Sequence, residues 1–227
     1  MTTDHPAGLP LRCVRSTPSG RPDTDALPLV IVMHGRGADA NDLADLAPLL
    51  DSGNGLRFLF PNAPKPWDAG GGMTFGFTWF DGWPPTPESF AESRRMVLDF
   101  LKAAVAHYPT PPGQVVLTGF SQGALLALNV ALHTEVELAG VVAMSGAFHE
   151  IDLDRLAKRQ NLPILIVHGI HDEVIPLLAA HRARRVLESH GLSPEYHEFP
   201  MGHQVTQESM AVVAEFIERC LQKTGNR

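Results

Sequence analysis

Near the middle of the chain, the sequence reads Gly119-Phe120-Ser121-Gln122-Gly123. Residues 114–118 ahead of it are mostly apolar and β-branched and predict a buried parallel strand, whereas residues 123–132 predict a helix. Only a sharp turn fits between the two, and a serine on such a turn projects its hydroxyl from the carboxyl end of the sheet. The residues on either side must then be small, which explains both glycines. The alternative is that Ser121 only caps the helix.

Composition and charge narrow the class of protein. The chain has 227 residues, of which 44% are hydrophobic and 19% are charged, as in an ordinary globular domain. Its formal net charge of -7 and the lack of a long Lys/Arg run argue against nucleic acid and against stable membrane association. No stretch approaches membrane-spanning length, and residues 1–6 do not resemble a signal peptide. We therefore expect a cytoplasmic protein.

The two ends of the chain carry few chemical signals. Residues 1–27 contain four prolines and predict a poorly regular segment with one short edge strand around residues 11–15. Cys13 and Cys220 lie near opposite ends of the chain and form no metal-type cluster. In a reducing compartment, we expect free thiols rather than a disulfide.

Strand and helix patterns alternate along the rest of the chain. This alternation predicts a single α/β domain over residues 1–227, with a mainly parallel, doubly wound sheet and no cap domain. In such sheets, ligands bind at the carboxyl ends of the strands. The predicted strands cover residues 29–33, 56–60, 114–118, 139–144, 162–167 and 195–199, and the predicted helices cover residues 41–50, 88–108, 123–132, 153–159, 177–189 and 212–221.

A glycine-bearing loop follows the first central strand. It reads His34-Gly35-Arg36-Gly37-Ala38-Asp39, and its glycines let the backbone approach a ligand. A loop at this end of a strand can turn a main-chain N–H toward Ser121. The alternative is a plain strand-to-helix turn in which His34 is hydrogen-bonded locally.

Residues 61–87 contain too many prolines and glycines to form a long regular element. All three tryptophans of the chain, Trp67, Trp79 and Trp83, fall in this stretch together with phenylalanines such as Phe80. Such aromatic enrichment weighs against disorder and favours a functional loop. We interpret Trp79, Phe80 and Trp83 as the wall of an apolar substrate pocket. The alternative is that the aromatic side chains only anchor the loop to the body of the protein.

Two further loops carry candidate partners for the serine. Asp172 follows a buried strand, where a carboxylate can accept the Nδ1–H of a histidine. His203 lies in a glycine-bearing turn before the last helix and completes the chain order serine, acid, histidine. His168 and His171 beside Asp172 could instead bind a metal, but no further ligand has suitable spacing, so we expect no metal. Ser145 also ends a strand, but no apolar helix follows it, and it is the weaker nucleophile candidate.

Five short motifs are spread over most of the chain. They are His34-Gly35-Arg36-Gly37, Trp79-Phe80-Asp81, Gly119-Phe120-Ser121-Gln122-Gly123, Asp172 with Val174 and Pro176 after it, and Gly202-His203. Together they resemble the phospholipase/carboxylesterase family of the α/β-hydrolase fold, which includes the acyl-protein thioesterases. The resemblance implies that Ser121 is the nucleophile, that His203 is the base and then the acid, and that Asp172 orients His203.

The resemblance also implies an oxyanion hole made by the main-chain N–H groups of Arg36 and Gln122. The physical argument agrees for Gln122, which opens a helix whose unpaired N–H groups and positive dipole end favour a developing anion. No cofactor is expected, because an adjacent base rather than a metal activates the serine.

These observations predict a serine carboxylesterase that hydrolyses short- to medium-chain acyl esters through an acyl-enzyme. Thioesters and lysophospholipids are further candidate substrates, so the expected partner is a small acyl ester. A second hypothesis is a catalytically silent binding protein of the same fold, against which the intact set of serine, acid and histidine argues. A peptidase or a dienelactone hydrolase is a third hypothesis, although the latter has a cysteine at the elbow. For the oligomeric state, a homodimer is one of the possibilities that the sequence leaves open.

Overall fold

Eight strands form the main sheet of the computed structural model, which describes residues 2–51, 53–68, 70, 74–148, 155–156 and 158–225. These strands are β1 (Thr2–Asp4), β2 (Cys13–Thr17), β3 (Leu29–Met33), β4 (Arg57–Pro61), β7 (Val115–Phe120), β8 (Gly140–Met144), β9 (Ile164–Gly169) and β10 (Glu195–Phe199). Their order across the sheet is β1-β2-β4-β3-β7-β8-β9-β10. A second, two-stranded sheet pairs β5 (Lys65–Asp68) with β6 (Thr74–Thr78).

Helices cover both faces of the main sheet, which confirms the predicted α/β architecture. Side chains of β3 and β7 alternate between two apolar cores, with Ile31 and Leu117 in one and Val30 and Val116 in the other. The helices are α1 (Ala47–Asp51), α2 (Pro87–His107), α3 (Gln122–His133), α4 (Leu177–Ser189) and α5 (Gln207–Gly225). Helices α2, α3 and α4 pack into the first core, and helices α1 and α5 pack into the second.

The N-terminal segment is more regular than its proline content predicts. β1 and β2 pair antiparallel, and β2 pairs antiparallel with β4, whereas the six strands from β4 to β10 are parallel. Arg15 Nε donates to Asp4 Oδ1 at 2.9 Å and fastens β1 to β2. The expectation of one edge strand in residues 1–27 is therefore corrected to two, because a three-residue strand is too short to show a periodic pattern.

The segment 61–87 is also more regular than expected. It contains the β5–β6 hairpin, in which Pro66 is paired with Phe77 and Trp67 with Gly76. The glycines and prolines of the segment conceal this pairing in the sequence, because strand pairing depends on contacts between residues about ten positions apart. The interpretation of residues 61–87 as an irregular loop is corrected accordingly.

The remaining predicted elements differ from the structure mainly at their ends. The predicted helix over 41–50 is a 3-10 turn at Ala44–Leu46 followed by the short α1. Of the predicted helix over 153–159, residues 155–156 are helical and residues 158–159 form a turn, whereas 153, 154 and 157 lie outside the described residues. In the described part of the chain, no helix combines the length and the apolar character needed to cross a membrane.

The two cysteines are free thiols, as predicted. Cys13 on β2 belongs to the core packed by α2, α3 and α4, whereas Cys220 on α5 belongs to the opposite core. Burial raises the pKa of the Cys13 thiol to about 12 and the pKa of the Cys220 thiol to about 11. Both side chains are therefore protonated and inert at neutral pH in the native structure.

Candidate active site

Ser121 lies on a sharp turn between β7 and α3, as the sequence predicts. Its φ of 56° and ψ of -116° form a conformation that non-glycine residues rarely adopt. The Ser121 N–H donates to the carbonyl of Met144 on β8 at 2.9 Å. A Cβ atom on Gly119 would lie 2.3 Å from the carbonyl carbon of Gly123, and one on Gly123 would lie 2.2 Å from the carbonyl oxygen of Met33. Only glycine fits at either position.

A continuous chain of hydrogen bonds joins the three predicted side chains. His203 Nε2 lies 3.0 Å from Ser121 Oγ, and His203 Nδ1 lies 2.8 Å from Asp172 Oδ2. Since an ionised carboxylate only accepts hydrogen bonds, Nδ1 carries the proton and Nε2 is left to accept the serine proton. Ser121 is 9% exposed and the His203 side chain 17%, whereas the Asp172 side chain is fully buried.

The Asp172 carboxylate is fixed by the loop that carries it. Oδ1 accepts hydrogen bonds from the main-chain N–H groups of Val174 at 2.9 Å and Ile175 at 2.8 Å. The fully buried His168 closes the loop, because its Nε2–H donates to the Ile175 carbonyl at 2.8 Å and lies 3.5 Å from Asp172 Oδ2. His168 thus fastens the acid loop, and Oδ2 remains directed at His203.

The turn that carries His203 crosses directly over the end of β9. A Cβ atom on Gly169 would lie 2.3 Å from the carbonyl oxygen of Met201, and the His171 N–H donates to the same carbonyl at 3.1 Å. The Phe120 ring packs against the His203 ring with their centroids 4.8 Å apart. Within the described residues, no group of three or more His, Cys, Asp or Glu side chains is arranged to hold a metal ion.

The loop after β3 passes beside the serine. A Cβ atom on Gly35 would lie 3.2 Å from Ser121 Cβ, so the residue before Arg36 packs directly against the serine. His34 is hydrogen-bonded locally, since its Nδ1–H donates to the Gly35 carbonyl at 2.6 Å and its Nε2 accepts from the Ala63 N–H at 3.0 Å. Burial lowers the pKa of His34, which agrees with a neutral ring of one donor and one acceptor.

The β5–β6 hairpin supports this loop from outside the main sheet. The Gly37 N–H donates to the Phe77 carbonyl, and the Phe77 N–H donates to the Ala38 carbonyl, both at 2.9 Å. Gly37 has a φ of 80°, and a Cβ atom there would lie 2.8 Å from the Trp67 ring. A Cβ atom on Gly76 would lie 2.3 Å from the Gly37 carbonyl oxygen. The hairpin and the loop are therefore in direct backbone contact.

The side chains of Gln122 and Arg36 are both hydrogen-bonded to the segment of residues 79–82. Gln122 Oε1 accepts from the Trp79 N–H at 3.0 Å, and its Nε2 donates to the Phe80 carbonyl at 3.0 Å. Arg36 Nη2 donates to the Gly82 carbonyl at 2.9 Å. In the ranges that the structure describes, the N–H groups of Arg36 and Gln122 donate to no main-chain carbonyl. An oxyanion hole requires such unpaired donors, and the assignment of Arg36 and Gln122 to one stays a prediction.

Comparison with known proteins identifies the family to which this architecture belongs. A family model described as Phospholipase/Carboxylesterase matches residues 20–221. The chain belongs to this family. The phospholipase/carboxylesterase resemblance seen in the motifs is thereby confirmed, and the chain is a hydrolase of the ester and thioester class.

Relatives of the chain match it along nearly their whole length. Acyl-protein thioesterase 1 from Kluyveromyces lactis is 29% identical, over 94% of this chain and 99% of that protein. Acyl-protein thioesterase 1 from Debaryomyces hansenii is 26% identical, over 92% and 97%. The solved structure of esterase PE8 is 28% identical, with a TM-score of 0.76 over 91% of this chain and 99% of that one. A carboxylesterase from Mesorhizobium loti, at 16% identity and a TM-score of 0.77 over 95% and 98%, shares the fold.

The aromatic residues predicted to line a substrate pocket lie in different environments. Trp79 and Phe80 are 0% exposed, and the Trp79 Nε1–H donates to the His34 carbonyl at 2.8 Å. Their assignment to a pocket wall is corrected, because side chains without solvent-accessible surface line no open pocket. They anchor the segment before α2 to the core. Trp83 is 48% exposed and remains the candidate for contact with substrate.

Ser145 has a backbone feature that the sequence does not reveal. Its φ is 47°, its side chain is fully buried, and its hydroxyl has no hydrogen-bond partner among the described residues. Its N–H donates to the Val167 carbonyl at 2.8 Å, so it lies at the edge between β8 and β9. A buried hydroxyl with no base beside it agrees with the lower ranking of Ser145 as a nucleophile.

Proposed function

We propose that the chain is a serine carboxylesterase that hydrolyses short- to medium-chain acyl esters through an acyl-enzyme. The single observation that carries this proposal is the hydrogen-bonded chain from Ser121 through His203 to Asp172, with lengths of 3.0 and 2.8 Å. Ser121 is the nucleophile, His203 the base and then the acid, and Asp172 holds the tautomer of His203. Each step uses only these groups, main-chain donors and water.

In the acylation step, Ser121 Oγ attacks the acyl carbonyl carbon while His203 Nε2 takes the hydroxyl proton. The main-chain N–H groups of Arg36 and Gln122 stabilise the oxyanion of the tetrahedral intermediate. When the intermediate collapses, the leaving alcohol or thiol takes the proton from Nε2. Water then attacks the acyl-enzyme with the same base, which releases the acid and restores Ser121.

Exposed apolar side chains on two loops support the preference for acyl length. Trp83 lies on the loop before α2, whereas Ile170 and Val174 lie on the loop that carries Asp172, and all three are exposed. A surface of this kind can cover a few methylene groups, each contributing about 0.8 kcal/mol, but does not enclose a long chain. The names of the acyl-protein thioesterase relatives support thioesters as further substrates. A cytoplasmic location and a homodimer stay predictions.

A fluorophosphonate probe tests the proposal, because it reacts covalently only with an activated serine. We expect the wild-type chain to be labelled on Ser121 and to hydrolyse p-nitrophenyl butyrate, and Ser121→Ala to do neither. Ser145→Ala is the matched control and keeps both properties. A folded wild-type chain that is not labelled and hydrolyses no p-nitrophenyl ester, acyl-CoA or lysophospholipid would instead support the silent binding protein.

A further inference from the structure

Arg36 brings a charged side chain to the candidate site in addition to its main-chain N–H. The side chain is exposed, and its loop passes so close to the serine that a Cβ atom on Gly35 would lie 3.2 Å from Ser121 Cβ. The guanidinium Nη2 donates to the Gly82 carbonyl at 2.9 Å. This bond holds the cation between the loop after β3 and the loop before α2, which also carries the exposed Trp83.

The Arg36 guanidinium has donors to spare and no anionic partner in the described part of the chain. A guanidinium has five N–H donors, and the Gly82 carbonyl occupies one of them. The acid beside Gly82 in sequence, Asp81, binds Lys65 instead, with Lys65 Nζ at 2.9 Å from Oδ2. The same Lys65 lies 3.8 Å from Glu92. A cation without an acidic partner in the described residues, one position after the glycine packed against Ser121, contrasts with the net charge of -7 of the whole chain.

A cleft farther along the same loop has the opposite charge. It is lined by Asp39, Asp42 and Asp45 together with Phe75. A substrate that lay in this cleft would be cationic, whereas one that contacted Arg36 would be anionic. Arg36 is favoured because it is tied to the Gly82 loop and adjoins the residue packed against Ser121, whereas the three aspartates follow later in the chain.

We propose that the Arg36 side chain binds an anionic group of the ester substrate, either a carboxylate or a phosphate. The planar donor fork of a guanidinium matches both groups. The substrate class is then a carboxylic ester whose acyl or alcohol part carries such an anion a few bonds from the cleaved carbonyl. The inference rests on the proposed esterase function and specifies that the substrate is anionic.

Matched esters of different charge test this subsite. The first set varies the charge of the acyl part. It consists of the anionic p-nitrophenyl monoglutarate, the neutral p-nitrophenyl pentanoate and the cationic p-nitrophenyl 4-(trimethylammonio)butanoate. The second set has charge in the alcohol part and compares phenyl butanoate with its 4-carboxy and 4-phosphonooxy derivatives. Each ester is measured with the wild-type chain and with Arg36→Gln, so that intrinsic reactivity cancels in the ratio of the two rates.

We expect Arg36→Gln to lower kcat/KM for the anionic esters about fivefold, mainly through KM, as for an exposed ion pair. The loss for the neutral and cationic esters should be smaller, so that the ratio of kcat/KM for anionic to neutral esters falls, and this difference should shrink as KCl is added. Arg184→Gln is the matched control, because it removes an exposed arginine of α4 that is paired with Glu188. It should leave the charge preference unchanged.

Four results would overturn the inference. An equal loss for all esters in Arg36→Gln would mean that the side chain only holds the Gly82 loop. A wild-type preference for the cationic ester would point to the aspartate-lined cleft instead. Hydrolysis of the neutral esters with no effect of charge would reject the subsite and keep the proposed function, whereas absence of both hydrolysis and fluorophosphonate labelling would reject both.

Discussion

At Asp172, a buried carboxylate accepts hydrogen bonds from two main-chain N–H groups and from His203. Asp172→Asn replaces an acceptor that holds the His203 proton on Nδ1, so we expect kcat to fall about 10⁴-fold. Ser121→Ala and His203→Ala should each lower kcat at least as much. The variant that combines Ser121→Ala with His203→Ala should have a kcat only slightly below that of Ser121→Ala alone. The measurement is kcat with p-nitrophenyl butyrate, with circular dichroism as the control for folding.

A near-normal rate for Asp172→Ala would contradict this assignment. The next acidic candidates would then be Glu173 and Asp81. Both are less well placed, since Glu173 is exposed and Asp81 is paired with Lys65.

The proximity of Ser121, Asp172 and His203 could be predicted from the sequence. Each follows a strand, and the carboxyl ends of parallel strands meet at one edge of a sheet. The role of His168 could not be predicted, because its bond to the Ile175 carbonyl exists only after the acid loop closes. The positive φ of Ser145 was equally hidden, since serine seldom adopts that conformation and no glycine marks the position.

Among the elements, the β5–β6 hairpin has the most direct effect on the loop that carries Arg36. A methyl group on Gly76 would meet the Gly37 carbonyl at 2.3 Å and push the hairpin off the loop. We expect Gly76→Ala to displace the Arg36 N–H and to reduce both kcat and the rate of fluorophosphonate labelling about tenfold. Gly70→Ala is the control, because Gly70 also has a positive φ but no atom of the described residues lies within 4 Å of a Cβ atom placed there.

The comparison of the two alanine variants separates contact from backbone strain. A similar loss in Gly70→Ala and Gly76→Ala would mean that strain in the hairpin, rather than its contact with Gly37, lowers the rate. A loss confined to Gly76→Ala would support the contact.

Elements with local signals could be predicted closely, whereas those defined by distant pairing could not. α4 and β10 have the predicted bounds, because α4 has a helical apolar spacing and begins directly after Pro176. The hairpin was missed because its two strands have four and five residues and include Pro66 and Gly76. The burial of Trp79 was missed for a related reason, since its contact with His34 joins residues 45 positions apart.

For the whole molecule, the proposed activity predicts a limit on acyl length. We expect kcat/KM to rise with acyl length in a series of p-nitrophenyl esters and then to level off, without activation by a lipid interface. Trp83→Ala should lose more activity as the acyl chain grows, because Trp83 is the exposed aromatic residue of its loop. Trp79→Phe should lose the same fraction at every length, because Trp79 is a buried anchor.

Two outcomes of the ester series would contradict this expectation. A uniform loss in Trp83→Ala would mean that this side chain does not contact the acyl group. Efficiency that continued to rise out to long-chain triglyceride emulsions would identify a lipase, and the exposed apolar side chains on the two loops would then be the wrong description of its binding site.

The two buried thiols can report separately on the opening of the two cores. Each cysteine belongs to a different core, and a thiol reagent such as DTNB can reach it only when that core opens. In rising urea, Cys13 should react first, because it lies on β2 near the edge of the sheet and the three-residue β1 pairs only with residues 15–17 of that strand in the described structure. The variants Cys13→Ala and Cys220→Ala would allow the reaction of each remaining thiol to be followed separately. Reaction of both thiols at the same urea concentration would show that the two cores unfold as one unit.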